Sequence, residues 1–128
     1  MRPFDDPKVA SAYEAFAADT KSGALALRDL VFATAQELQP AVLVTEALRW
    51  GQPAYLSAKG TTIRLGGHTS ARFALFVHCQ TRLIGEFTSA FPDADRIDGN
   101  RAILFDGIEQ IDPIRHGWLI ARALTYHR

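Results

Sequence analysis

Residues 73–78 read Phe-Ala-Leu-Phe-Val-His, and no other stretch restricts the fold as tightly. In an extended chain Phe73, Leu75 and Val77 fall on one face, and Ala74, Phe76 and His78 on the other. Apolar side chains on both faces place this strand in the interior of a sheet, with neighbours on either edge. The composition allows such a core. The 128 residues are 48% hydrophobic and 22% charged, a length for one domain burying roughly two-thirds of its unfolded surface. Fourteen basic residues balance fourteen acidic ones. That balance excludes a charge-driven disordered chain and supplies no bulk field for nucleic acid or an anionic membrane. A single cysteine, Cys79, excludes an internal disulfide.

The first seven residues carry Arg2, Asp5 and Asp6 in place of the apolar run of a secretory signal. No segment approaches the roughly 20 apolar residues of a membrane span. A soluble cytoplasmic protein is expected, in keeping with one unpaired cysteine.

Two Asp-Pro pairs announce helices, because Asp caps the free amides and Pro tolerates the first helical position. Asp6-Pro7 opens a short helix with Val9, Tyr13 and Phe16 on one face, ending near Asp19. Asp112-Pro113 opens the last helix, with Ile114, Trp118, Ala121 and Thr125 on one face. Between them, Ser22 is expected to cap a second helix carrying Leu27, Leu30, Val31, Thr34, Ala35 and Leu38, stopped by Pro40. Thr81 is expected to cap a third, with Leu83, Ile84, Phe87 and Phe91, ended by Pro92. Strand signals fill the gaps. Leu48 and Trp50 alternate before a turn at Gly51-Gln52-Pro53, and Pro53 is expected to lie outside a central ladder. A short return strand at 54–57, a strand at 61–65 and a Gly66-Gly67 loop follow. Asp98-Gly99 marks a hairpin leading into the strand at 102–105. The sum is a single α+β domain over residues 1–128. It has an antiparallel sheet of about five or six strands, with helices packed mainly on one side.

Arg49-Trp50-Gly51-Gln52-Pro53-Ala54-Tyr55 is the most distinctive string. Two large rings flank a stiff bend, with Gly51 giving backbone freedom and Pro53 fixing φ. Either the rings pack into the core, or they wall a pocket for a small ligand with Gln52 as its polar group. Together with Glu37-Leu38, Glu46, the 101–105 strand and the Ile111-Asp112-Pro113-Ile114 helix start, this string resembles the YdhG-like family of domains of unknown function. The resemblance covers about four-fifths of the chain, from near Ala24 onward. It implies a small α+β fold and no established activity. One branch is described as a frataxin-like iron chaperone, and no motif in this chain carries that role over.

Other chemistry is sparse. His68, His78, His116 and His127 are scattered, with no spacing for a zinc site. His78 and Cys79 would point to opposite faces of a strand, and Cys79 reads as a small buried side chain. Asp93, Asp95 and Asp98 misplace the oxygens and glycine of a calcium loop. No phosphate-loop, dinucleotide or nucleophile-elbow motif occurs, so no cofactor, metal or catalytic set is assigned.

The charge distribution is less bland. No acid lies between Ala47 and Gly85, where Arg49, Lys59, Arg64, Arg72 and Arg82 stand, whereas acids dominate from Glu86 to Asp112. Either the two regions neutralise each other across the sheet, or the basic one binds a small anion or partner. In the second case Arg64 and Arg72 donate, since guanidinium grips carboxylate or phosphate through two hydrogen bonds. The expectation is therefore a small-ligand or anion-binding domain using Trp50, Gln52, Tyr55, Arg64 and Arg72. The alternatives are a homodimeric interaction module and an iron-binding chaperone.

Overall fold

The computed structural model describes residues 2–128. Residue 1 lies outside it. Its helices are α1 (Pro7–Ala15), α2 (Ala18–Glu37), α3 (Leu83–Ala90) and α4 (Pro113–Leu124). The strands are β1 (Thr45–Arg49), β2 (Gln52–Leu56), β3 (Ile63–His68), β4 (Ala71–Phe76), β5 (Arg96–Asp98) and β6 (Ala102–Phe105). They form one six-stranded sheet in the order β1-β2-β3-β4-β6-β5, with every pair antiparallel. The fold is α+β. Among the described residues no helix is long and apolar enough to cross a membrane.

Residues 73–76 do lie inside the sheet, since β4 pairs with β3 on one edge and β6 on the other. All four helices pack on the face carrying Tyr55, Ile63, Leu65, Phe73, Leu75, Ile103 and Phe105. Phe73 and Phe105 stack there at 4.9 Å, almost parallel. The opposite face carries a thin apolar cluster of Ala74, Phe76, Ala102 and Leu104, with no helix over it.

Both Asp-Pro starts behave as expected: Asp6 accepts from the Lys8 amide at 2.8 Å, and Asp112 from the Ile114 amide at 2.9 Å. Several expectations change, among them the start of α3, whose N-cap is Arg82 rather than Thr81. α1 stops at Ala15 and α2 begins at Ala18, so Ser22 lies inside a helix and Asp19 occupies its first turn. There the Asp19 carboxylate faces the positive end of the helix dipole. α4 turns His116, Leu119, Ile120, Ala123 and Leu124 inward, while Ile114 is 82% exposed. That stripe buries more apolar surface than the one through Ile114.

Pro53 is a ladder residue of β2, paired with Leu48. Its missing amide points away from β1, so the β1–β2 ladder keeps its hydrogen bonds, and pairing with β3 begins one residue later, at Ala54. Gly66 and Gly67 belong to β3 rather than to a loop. Between Gly66 and His68 the register with β4 slips, so Arg72 and Phe73 together stand opposite Gly67.

Candidate anion-binding site

The β1–β2 hairpin turns on only two residues, Trp50 and Gly51, with φ of 51° and 74°. Two positive φ values define the tight turn that matches strand twist, and its usual residues are Asn and Gly. Trp50 in this left-handed geometry costs about 1–2 kcal/mol. Its side chain is 79% exposed, so core packing does not offset that cost. A strained, exposed aromatic side chain directs attention to what it faces.

The indole faces Arg64, whose guanidinium carbon lies 5.1 Å from the Trp50 ring centroid and 5.2 Å from that of Phe76. Arg64 Nη1 donates to Gln52 Oε1. The Gln52 amide lies close over Gly66, where a Cβ would come within 2.6 Å of Nε2. Two rings and one amide thus fix Arg64 in place. Among the described residues it has no carboxylate partner. Burial, and after it the charge of Arg101, hold the Arg64 guanidinium below its ordinary pKa. Arg101 lies 5.9 Å from the same Phe76 ring and makes only a loose 3.7 Å pair with Asp98. Asp98 is shared with His68 Nε2 at 2.9 Å.

Between these groups lies a cavity of about 200 Å³, lined by Trp50, Thr62, Arg64, Val77, His78, Cys79 and Arg101. At about 30 Å³ of liquid volume per water, it has room for about six waters. The chain leaves β4 at Phe76, so strand alternation no longer separates His78 from Cys79, and both reach this cavity. Asn100 Nδ2 donates to the Cys79 carbonyl at 2.6 Å, tying this wall to the Arg101 loop. Cys79 is exposed, contrary to its expected burial. Two guanidiniums, a hydroxyl, an imidazole and a thiol face a space that no carboxylate lines. Such a lining suits a compact anion, which would relieve the repulsion between the two arginines. Among the described residues no cluster of three metal-ligating side chains forms.

Of the five residues singled out from sequence, Trp50, Gln52 and Arg64 come together, and Tyr55 and Arg72 do not. Arg72 stands at the β4 bulge and pairs with Asp19 of α2. Tyr55 points from β2 into the helix-covered side and is fully buried. Its hydroxyl donates to Glu46 Oε2 at 2.7 Å and meets the Tyr13 hydroxyl at 2.6 Å. Glu46 also holds Arg28 through Nε at 2.5 Å and Nη2 at 3.1 Å. The rest of the Arg28 fork donates to the carbonyls of Arg2 and Pro3. Burial raises both tyrosine pKa values well above their ordinary range. Every donor in this cluster is satisfied, which is how a buried polar group is kept for structure.

No protein-family model, no curated protein and no solved structure matches this chain.

The sequence reading missed Thr62, His78, Cys79 and Arg101 as neighbours of Arg64. Arg101 follows Asp98-Gly99 in the predicted hairpin, so it had a signal as a turn residue. Its closeness to Arg64 depends on β6 pairing with β4 rather than on any local pattern.

Proposed function

We propose that this chain is a small-anion-binding domain whose ligand sits between Arg64 and Arg101, beneath the Trp50 indole. The carrying observation is Arg64 itself, clamped between two rings and bonded to Gln52, yet with no carboxylate partner among the described residues. Of the other basic residues between Ala47 and Gly85, Arg72 pairs with Asp19 of α2, whereas the acids paired between Glu86 and Asp112 bond arginines of their own segment and of α4. Arg96 bonds Asp106 at 2.7 Å, and Arg115 bonds Asp95 at 2.7 Å. A fixed arginine left without a counter-charge against a second arginine stores repulsion that an anion removes. The partner class is a compact phosphate or carboxylate, and the role is binding rather than catalysis. The YdhG-like resemblance remains part of this proposal. Its central string is one hairpin, which presents Trp50 to the cavity and Tyr55 to the core.

Calorimetric titration with inorganic phosphate and with acetate, at low ionic strength, tests this reading. At least one of the two is expected to bind, more weakly as salt rises. Arg64→Met and Arg101→Met are each expected to weaken it by about tenfold or more, the scale of a charged hydrogen bond. Arg49→Met is expected to leave it unchanged. Absence of binding by both anions, or equal binding in Arg64→Met, would overturn the reading.

A further inference from the structure

Resting on that reading, we infer that the preferred ligand is an aryl or heteroaryl phosphate or carboxylate, an anion joined to a flat ring that stacks on Trp50. Two observations beyond the arginine pair carry this. Trp50 occupies a left-handed turn position, at φ 51°, where Asn or Gly would serve the turn better. It is 79% exposed, with Arg64 lying over its ring. The exposed part of the indole is an unused aromatic surface beside the anion cavity.

The arrangement fixes where a ligand's two parts would lie. An anion bonded to Arg64 sits next to the indole, because that guanidinium is 5.1 Å from the ring centroid. The cavity of about 200 Å³ suits the anionic head, and a group attached to it projects past Trp50. Flat rings gain more against an indole than aliphatic groups of equal size, through offset or edge stacking. Phe76 cannot play this part, since it is 4% exposed beneath the two arginines. His68 stacks on Phe76 and is held by Asp98, so it too is committed elsewhere.

The test uses inorganic phosphate, cyclohexyl phosphate and phenyl phosphate, read by fluorescence in a Trp118→Phe background where Trp50 is the one remaining indole. Trp118 packs against Phe87 and Phe91, away from the cavity. If that background fails to fold, the indole N–H resonance of Trp50 in the native chain gives the same readout. Phenyl phosphate is expected to bind at least about fivefold more tightly than cyclohexyl phosphate, the scale of an aromatic stack. Trp50→Ala, read by calorimetry because it removes the reporting indole, is expected to abolish the difference between the phenyl and cyclohexyl esters, and a difference that persists overturns the inference. Equal affinity of the phenyl and cyclohexyl esters overturns the inference and leaves the anion site standing. Failure of all three to bind in the native chain overturns the anion site as well.

Discussion

Arg28 and Arg64 are built alike and used differently. Each guanidinium lies between two aromatic rings: Phe4 at 4.1 Å and Phe32 at 5.4 Å for Arg28, Trp50 at 5.1 Å and Phe76 at 5.2 Å for Arg64. Arg28 is wholly buried, and Glu46 grips it through two hydrogen bonds. Burial alone would lower its pKa, but the hydrogen bond and charge of Glu46 more than offset this and hold it above its ordinary value. Arg64 has only the Gln52 amide, and burial with Arg101 holds it below its ordinary value. The same aromatic clamp serves stability where the counter-charge is internal, and on the proposed reading it serves binding where the counter-charge comes from outside.

Removing the internal counter-charge breaks the comparison most severely. Glu46→Ala strands a buried guanidinium and two tyrosine hydroxyls, and is expected to destabilise the fold by about 3–5 kcal/mol in denaturant unfolding. A cost under about 1 kcal/mol would mean that the Arg28 cluster contributes as little as a surface ion pair.

A second buried carboxylate extends the comparison to pH. Asp95 accepts from His116 Nε2 at 3.0 Å and from Arg115 Nε at 2.7 Å. The Asp112 amide donates to His116 Nδ1 at 2.9 Å, which leaves the ring proton on Nε2. Burial would raise the Asp95 pKa, but His116 and Arg115 together lower it. A carboxylate with a depressed folded pKa adds stability above the ordinary carboxylate range and loses it as pH falls through the folded value. Native stability is therefore expected to fall steeply in acid, and Asp95→Asn to be less stable at neutral pH with a shallower acid decline. Thermal unfolding across pH 2–7 checks both, and parallel curves would contradict the assignment.

Arg64→Met sharpens the contrast from the other side. It keeps a flexible apolar stem on Phe76 and loses no ion pair, so stability is expected to change by no more than about 1 kcal/mol. A loss matching that of Glu46→Ala would make Arg64 a structural residue. The smallest effect is a gain. Trp50→Asn restores the residue this turn favours and is expected to stabilise the fold by about 0.5–1 kcal/mol. A destabilised Trp50→Asn would mean that the indole contributes to folding as well.

The contrast also explains which features were legible in the sequence. Helix starts at Asp6 and Asp112 and the central position of residues 73–76 rest on local chemistry and two-residue periodicity, and both hold. The inward face of α4 was misplaced because Trp118 and Ile114 outweighed a longer stripe of Leu119, Ile120, Ala123 and Leu124. Trp50 and Tyr55 were paired by nearness in the chain. The turn proved to be Trp50-Gly51, which puts Tyr55 on the core face and leaves Trp50 at the tip. The absence of acids around Arg64 was visible as a run of basic residues. Its closeness to Arg101 and Cys79 was not, because it arises from strand order, and nothing local in the sequence encodes that order.

Cys79 offers the most direct test of the central claim, since its thiol lines the same cavity as both arginines. The measurement is the rate of its alkylation by negatively charged iodoacetate relative to neutral iodoacetamide, in the native chain and in the Arg64→Met/Arg101→Met double variant. An anion-attracting cavity predicts a higher ratio in the native chain, lowered by added phosphate and lost in the double variant. A ratio equal in both proteins and indifferent to phosphate would contradict it.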